Sequence, residues 1–98
     1  MYALVAEQNG RLLGLVHYLY HRTTTTIGLV CYLNDLFTSA DARGKGVGRA
    51  LIQAVYDEAR RAGSPRVYWL THASNATARR LYDQVADNTG HLYYRRDL

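Results

Sequence analysis

Apolar and polar positions recur along this chain with two different periods, and the change from one to the other marks its elements. Tyr2 to Glu7 and Arg11 to His21 read as strands. Asn9-Gly10 between them is a two-residue hairpin turn that favours positive φ, so the two strands are expected to pair antiparallel. Gly14, inside the second strand, suggests a bulge or a close approach of another segment. Thr23 to Thr26 is uniformly polar and reads as an exposed link. Ile27 to Thr38 is nearly all apolar, which predicts a third strand covered on both faces, interrupted by Asn34 and Asp35 near its end.

The period then lengthens. Val47, Leu51, Ile52, Val55, Tyr56 and Ala59 form one stripe of a helix, with Asp57, Glu58, Arg60 and Arg61 mainly on the other side. Gly63 stops this helix and Pro65 prevents its resumption. Arg66 to Thr71 reads as a fourth strand. Strand, helix and strand in this order form a βαβ unit, so the third and fourth strands are expected to run parallel. Ser74 or Asn75 caps a second helix running to about Val85, Asp87 to Gly90 is a turn, and His91 to Arg96 reads as a last strand around Leu92, Tyr93 and Tyr94. There is no repeat and no linker. The expected fold is therefore one α/β domain over residues 1–98, ordered β-β-β-α-β-α-β, with a mixed and mostly antiparallel sheet.

Size and composition narrow the function. The chain has 98 residues, enough for one modest core. No apolar run approaches the roughly 20 residues of a helical membrane span, and no membrane partner is expected. The single cysteine, Cys31, cannot form an internal disulfide and lies in an apolar pattern, which points to a buried thiol and a reducing compartment, the cytoplasm. A net charge of +4 suits an anionic ligand but is too scattered to argue for nucleic acid. The nine tyrosines fall mostly on strand positions, as sheet packing would place them. The four histidines have no ligand-like spacing, so no metal is expected.

The stretch Arg43-Gly44-Lys45-Gly46-Val47-Gly48 lies between the third strand and the first helix. Its glycines permit a tight turn with unshielded N–H groups, and a helix starting here adds free N–H groups and a positive dipole end. Arg43, Lys45 and Arg49 add positive charge. The combination is suited to a phosphate or pyrophosphate. It is not a Walker loop, because Lys45 is followed by Gly46, and it is not a dinucleotide fingerprint, because Arg49 and Leu51 fill the positions where a last glycine would stand.

The run does fit R/Q-x-x-G-x-G/A through Arg43, Gly46 and Gly48, and so resembles the pyrophosphate loop of the GNAT superfamily of N-acetyltransferases. Two further stretches strengthen the resemblance: Asn75-Ala76-Thr77-Ala78-Arg79-Arg80-Leu81-Tyr82, and Leu33-Asn34-Asp35-Leu36-Phe37 before the loop. The latter, with Tyr68-Trp69-Leu70-Thr71, is similar to family members that acetylate small amines, polyamines and histones. The likeness covers roughly residues 3 to 96.

What the resemblance implies is specific. Acetyl-CoA would be the cosubstrate, bound by the loop from Arg43 to Arg49, by backbone groups of Leu36, Phe37 and Thr38 where the third and fourth strands splay, and by Asn75. Asn75 also reads simply as a helix cap. Tyr82, seven residues on and on the same helix face, would be the general acid that protonates the departing thiolate. Some polyamine-acetylating relatives carry a glutamate base at the position of Asn34. An amide cannot take a proton, and Asp35 as the next strand residue is expected to point to the other face. Asn34 and Asp35 therefore stand as catalytic candidates without an assigned base, and His72, just past a strand end, is another. The family also begins with a strand and two helices that wall the acceptor site. Nothing before Tyr2 can supply them, so the expectation is a fragment, a truncated product, or a minimal member completed by a partner subunit.

The expected function is acetyl transfer from acetyl-CoA to a primary amine of a small amine, polyamine or amino acid by direct attack. The alternatives are a histone or protein-tail acetyltransferase and a non-catalytic acyl-CoA-binding module. A homodimer is expected, formed through the C-terminal strand with Arg95 and Arg96 near its rim.

Overall fold

The computed structural model describes residues 1–98. Its elements are β1 (Tyr2–Gln8), β2 (Arg11–His21), β3 (Val30–Thr38), α1 (Val47–Arg61), β4 (Val67–Tyr68) and α2 (Ala76–Val85), with a 3₁₀ turn at Ala40–Ala42. The sheet order is β1-β2-β3-β4. β1/β2 and β2/β3 are antiparallel and β3/β4 is parallel, so the α/β mixed sheet and its βαβ unit are present.

The hairpin closes where local chemistry requires. Gln8 pairs with Arg11, and Asn9 and Gly10 take φ of 53° and 77° in the turn. The register slips once between Ala6 and Glu7, opposite Gly14 and Leu12. Gly14 is also a point of close approach: a Cβ there would lie 2.8 Å from Val47 Cγ1, 2.9 Å from Leu51 Cδ1 and 2.9 Å from the Phe37 carbonyl oxygen. Helix α1 can lie against β2 at this height only because position 14 has no side chain.

The core forms between α1 and one face of the sheet. Val16, Tyr18, Cys31 and Leu33 on the strands meet Leu51, Ile52, Val55 and Ala59 on the helix, all at most 5 % exposed. Leu81, Tyr82 and Val85 of α2 pack on its margin, and the Tyr56 hydroxyl donates to the Val85 carbonyl at 2.8 Å, tying α2 to α1. Burial pushes the Cys31 thiol up to about 11, which makes it a packing residue rather than a nucleophile. The opposite face of the sheet carries Val5, Leu15, His17, Leu19, Tyr32 and Phe37, by cross-strand register, and no helix lies over it. Val5 and Phe37 are 55 % and 52 % exposed.

Three expectations need correction. The third strand begins at Val30, and Ile27 is fully exposed; Thr26 Oγ1 donates to the Gly28 carbonyl, which ties that stretch into a turn. Its expected cover on both faces exists on one only. The fourth strand is two residues long, because β3 pairs with it only at Cys31/Val67 and Tyr32/Tyr68 before the two diverge. The last strand, His91 to Arg96, does not form. A strand needs a neighbouring edge, and this segment makes no ladder with β4; Leu92 and Tyr94 are 79 % and 88 % exposed.

Candidate active site

The glycine loop turns from the 3₁₀ segment into α1. Gly46 is the residue before the helix, with φ of 78°, a left-handed conformation that costs a residue with a Cβ. No side chain caps the helix and no acidic residue lies in its first turn. The first intrahelical bond runs from Ala50 N–H to the Gly46 carbonyl, so the N–H groups of Val47, Gly48 and Arg49 meet no acceptor in the protein. Three free donors, the positive end of a 15-residue helix and nearby arginines make a well-formed anion site. The space beside Gly46 is open, with nothing within 4 Å of where a Cβ would stand. A side chain there would project from the cradle into the position of its ligand.

The loop opens into a cleft of about 800 Å³. Leu36, Phe37 and Thr38 line one side of it, Arg43, Gly44, Gly46, Val47, Gly48 and Arg49 its floor, and Asn75 and Tyr82 of the α2 region the other side. Every residue expected at the coenzyme lines this cleft except Lys45, which is exposed. The splay expected between strands is present. β3 continues for six residues past Tyr32, its last pairing with β4, and the β4-side edge of Leu36 to Thr38 has no strand beside it. Free edge groups of this kind suit an amide-bearing arm. Asn75 caps α2, its Oδ1 accepting from Ala78 N–H at 3.4 Å, which leaves its Nδ2 amide unengaged. Sequence reading missed Arg80, which lines the same cleft, and Gln84, which holds the Arg49 guanidinium. Arg80 and Gln84 are four residues apart on one face of α2, but nothing in their spacing from Asn75 or Tyr82 marks them.

Tyr82 lines this cleft and also a second, larger groove of about 1160 Å³ bounded by β4 and residues 86–92. It therefore stands where the two meet. Its ring packs edge-on against Trp69, centroids 5.3 Å apart, and its hydroxyl has no protein partner. Burial raises its pKa above the usual tyrosine value, so the phenol keeps its proton. A protonated, unengaged hydroxyl between two clefts can donate that proton to a leaving group.

Asn34 and Asp35 behave differently from expectation. Tyr18 pairs with Leu33 and His17 with Asp35, so Asn34 is an extra residue in a β-bulge. The bulge cancels the alternation that would set the two on opposite faces. Both are exposed and joined to each other, Asn34 Nδ2 donating to Asp35 Oδ2 at 2.9 Å. His17 Nδ1 lies 3.4 Å from the same Oδ2, a neighbour that no linear spacing reveals. His72 lines neither cleft; its carbonyl accepts from Asn75 N–H.

Comparison with known proteins agrees with this geometry. The acetyltransferase (GNAT) family profile matches residues 1–86. The chain is 43 % identical over 90 residues to the D-amino-acid N-acetyltransferase HPA3 of Saccharomyces cerevisiae, covering 92 % of this chain and 56 % of that protein. It is 33 % identical over 93 residues to the uncharacterized N-acetyltransferase YhfO of Bacillus subtilis, covering 93 % and 62 %. The chain thus spans a little over half the length of the curated relatives it matches. Among solved structures, an integron cassette protein from the mobile metagenome of V. cholerae superposes with a TM-score of 0.88 at 27 % identity, over 97 % of this chain and 60 % of that one. A ribosomal-protein-alanine N-acetyltransferase from Brucella melitensis biovar Abortus 2308 gives 0.86 at 25 % identity, over 98 % and 70 %.

Proposed function

Because the chain belongs to the acetyltransferase (GNAT) family, we propose that it moves an acetyl group from acetyl-CoA to the primary amine of a small molecule. The observation that carries this reading is the convergence of loop, splayed strand and acid in one cleft. The N–H groups of Val47, Gly48 and Arg49 hold the pyrophosphate, with Arg43, Arg49 and Arg80 supplying charge. The edge of β3 at Leu36 to Thr38 pairs with the amides of the pantetheine arm, and the free Nδ2 of Asn75 adds a donor. Tyr82 gives its proton to the thiolate as the carbon–sulfur bond breaks. The amine attacks the thioester directly, because the only cysteine, Cys31, is buried in the core and cannot carry the acetyl group.

The acceptor is the amino group of an amino acid. The yeast relative, named for D-amino acids, supports this choice over a polyamine or a protein tail. The active form is a homodimer. Leu92, Tyr93, Tyr94 and Leu98 are exposed and the outer edge of β4 is unpaired, so a second copy can cover both.

Turnover tests the reading. Purified protein, acetyl-CoA and a panel of D- and L-amino acids, polyamines and a histone-tail peptide are followed by thiol release, with sedimentation in parallel. The expected result is turnover on amino acids and about twice the chain mass. Acetyl-CoA binding without thiol release on any amine would leave only an acyl-CoA-binding module.

A further inference from the structure

We infer that His17 is the base that deprotonates the incoming amine, and that Asp35 is the residue that positions it; this rests on the acetyl-transfer reading above. The bulge at Asn34 brings the two residues together. By shifting the register of β3 by one residue it sets Asp35 opposite His17, with Nδ1 of the imidazole 3.4 Å from a carboxylate oxygen. Bulges near active sites commonly re-aim a side chain in this way. The bulge lies only two residues beyond Tyr32, where the pairing of β3 with β4 ends. The His17–Asp35 pair therefore stands near the opening of the sheet, Asp35 on the diverging strand and His17 one strand further in, on the face away from α1 and outside the lining of both clefts.

The surroundings single out His17. Its side chain is 35 % exposed, enough for a substrate to reach it. From β1, Ala3 stands opposite it and offers no charge; from β3, Asp35 does. His21, four residues along the same face, is committed: its Nδ1–H donates to the Arg22 carbonyl at 2.8 Å and its Nε2 accepts from the Tyr68 hydroxyl at 2.6 Å. Asn34 has no proton-accepting side chain. An imidazole suits proton abstraction near neutral pH better than an ordinary carboxylate does. With Nδ1–H directed at Asp35, Nε2 presents its lone pair, and the carboxylate stabilises the imidazolium that forms.

The step balances. His17 Nε2 takes one proton from the ammonium of the acceptor, leaving a neutral amine. The amine nitrogen bonds to the thioester carbon, the carbon–sulfur bond breaks, and the thiolate takes the Tyr82 proton. Tyr82 recovers a proton from the nitrogen as the amide forms, and His17 releases its proton to solvent. One proton leaves per turnover.

The test is the pH dependence of kcat/KM for an amino acid acceptor, measured for wild type, His17→Asn and Asp35→Asn, with acetyl-CoA affinity measured on each protein. Wild type is expected to rise with pH to a plateau. His17→Asn should lose about 10²-fold at neutral pH and keep rising with pH as free amine accumulates. Asp35→Asn, an exposed change that leaves the fold alone, should lower kcat with acetyl-CoA affinity unchanged and the plateau retained. A His17→Asn enzyme within threefold of wild type with the same profile overturns the assignment while the acetyl-transfer reading stands. A wild-type protein without turnover removes both.

Discussion

Leu15 and Val16 are neighbours on β2, yet Val16 is fully buried beneath α1 while Leu15 lies half-buried on the other side of the sheet. The contrast extends across the molecule. On the covered side, strand and helix residues are sealed from water and hold the fold. On the uncovered side, Val5 and Phe37 are exposed, and His17, Asn34 and Asp35 gather around a bulge. The residues that hold the fold and the exposed His17–Asp35 pair thus lie on opposite faces of one thin layer, with Tyr82 packed at the margin of the covered side. The cleft beside the glycine loop lies at the end of β3, where that strand runs on past its last pairing with β4.

That division can be broken most severely at Ile52, which is fully buried. Ile52→Ala should cost about 2–5 kcal/mol, a large part of the roughly 5–15 kcal/mol that holds a domain together. With only 11 buried residues, the chain has little reserve, and thermal denaturation should show a loss of many degrees. An unchanged midpoint would mean that the covered face does not carry the stability.

Gly46→Asp tests the junction. It adds a carboxylate to the anion cradle without touching the core, since nothing lies within 4 Å of the new Cβ. Calorimetry should register a loss of acetyl-CoA affinity on the order of 10²-fold, about 2.7 kcal/mol, with native circular dichroism. Retained affinity would move the pyrophosphate off the loop.

Tyr82→Phe sharpens the contrast from the chemical side. It should lower kcat about 10²-fold at nearly constant acetyl-CoA affinity. Because burial raises the Tyr82 pKa, the protonated form that the reaction needs persists as pH rises and is lost only beyond the usual tyrosine value. Wild-type activity should therefore fall on the far alkaline side, and whatever activity the phenylalanine variant retains should lack that limb.

The smallest effect belongs to the uncovered face. Val5→Thr, at a position 55 % exposed, should alter stability by no more than about 0.5 kcal/mol. A larger loss in chemical denaturation would show that something covers that face in solution.

The same contrast explains what could be read from the sequence. The β1–β2 hairpin, α1 and α2 were legible because their signals are local: a turn dipeptide, a 3.6-residue stripe, a capping asparagine. The glycine loop before α1 was legible for the same reason, its glycines and bases being contiguous. The short β4 and the unformed strand at His91 to Arg96 were not, because a strand exists only where another edge accepts it. The His17–Asp35 pair was hidden too. It depends on the register of two strands and on a one-residue slip at Asn34, and residues 17 and 35 carry no mark of that pairing. Asn75 illustrates the middle case: the cap was readable, and whether its amide also meets a ligand was not.

Gly14 has a consequence beyond packing. The atoms its missing methyl would strike include Val47, the first residue of α1, and the carbonyl of Phe37 on the side of β3 that faces β2. One empty position on β2 therefore lets the start of α1 and the end of β3, which line opposite parts of the cleft, approach each other at a set separation. Gly48, beside Thr38 Oγ1 at 3.7 Å from its own would-be Cβ, repeats the constraint one step away. The width of the cleft is thus set in part by a residue outside it. Enlarging Gly14 would widen that gap and, under the acetyl-CoA reading proposed above, weaken coenzyme binding with no recognition group altered.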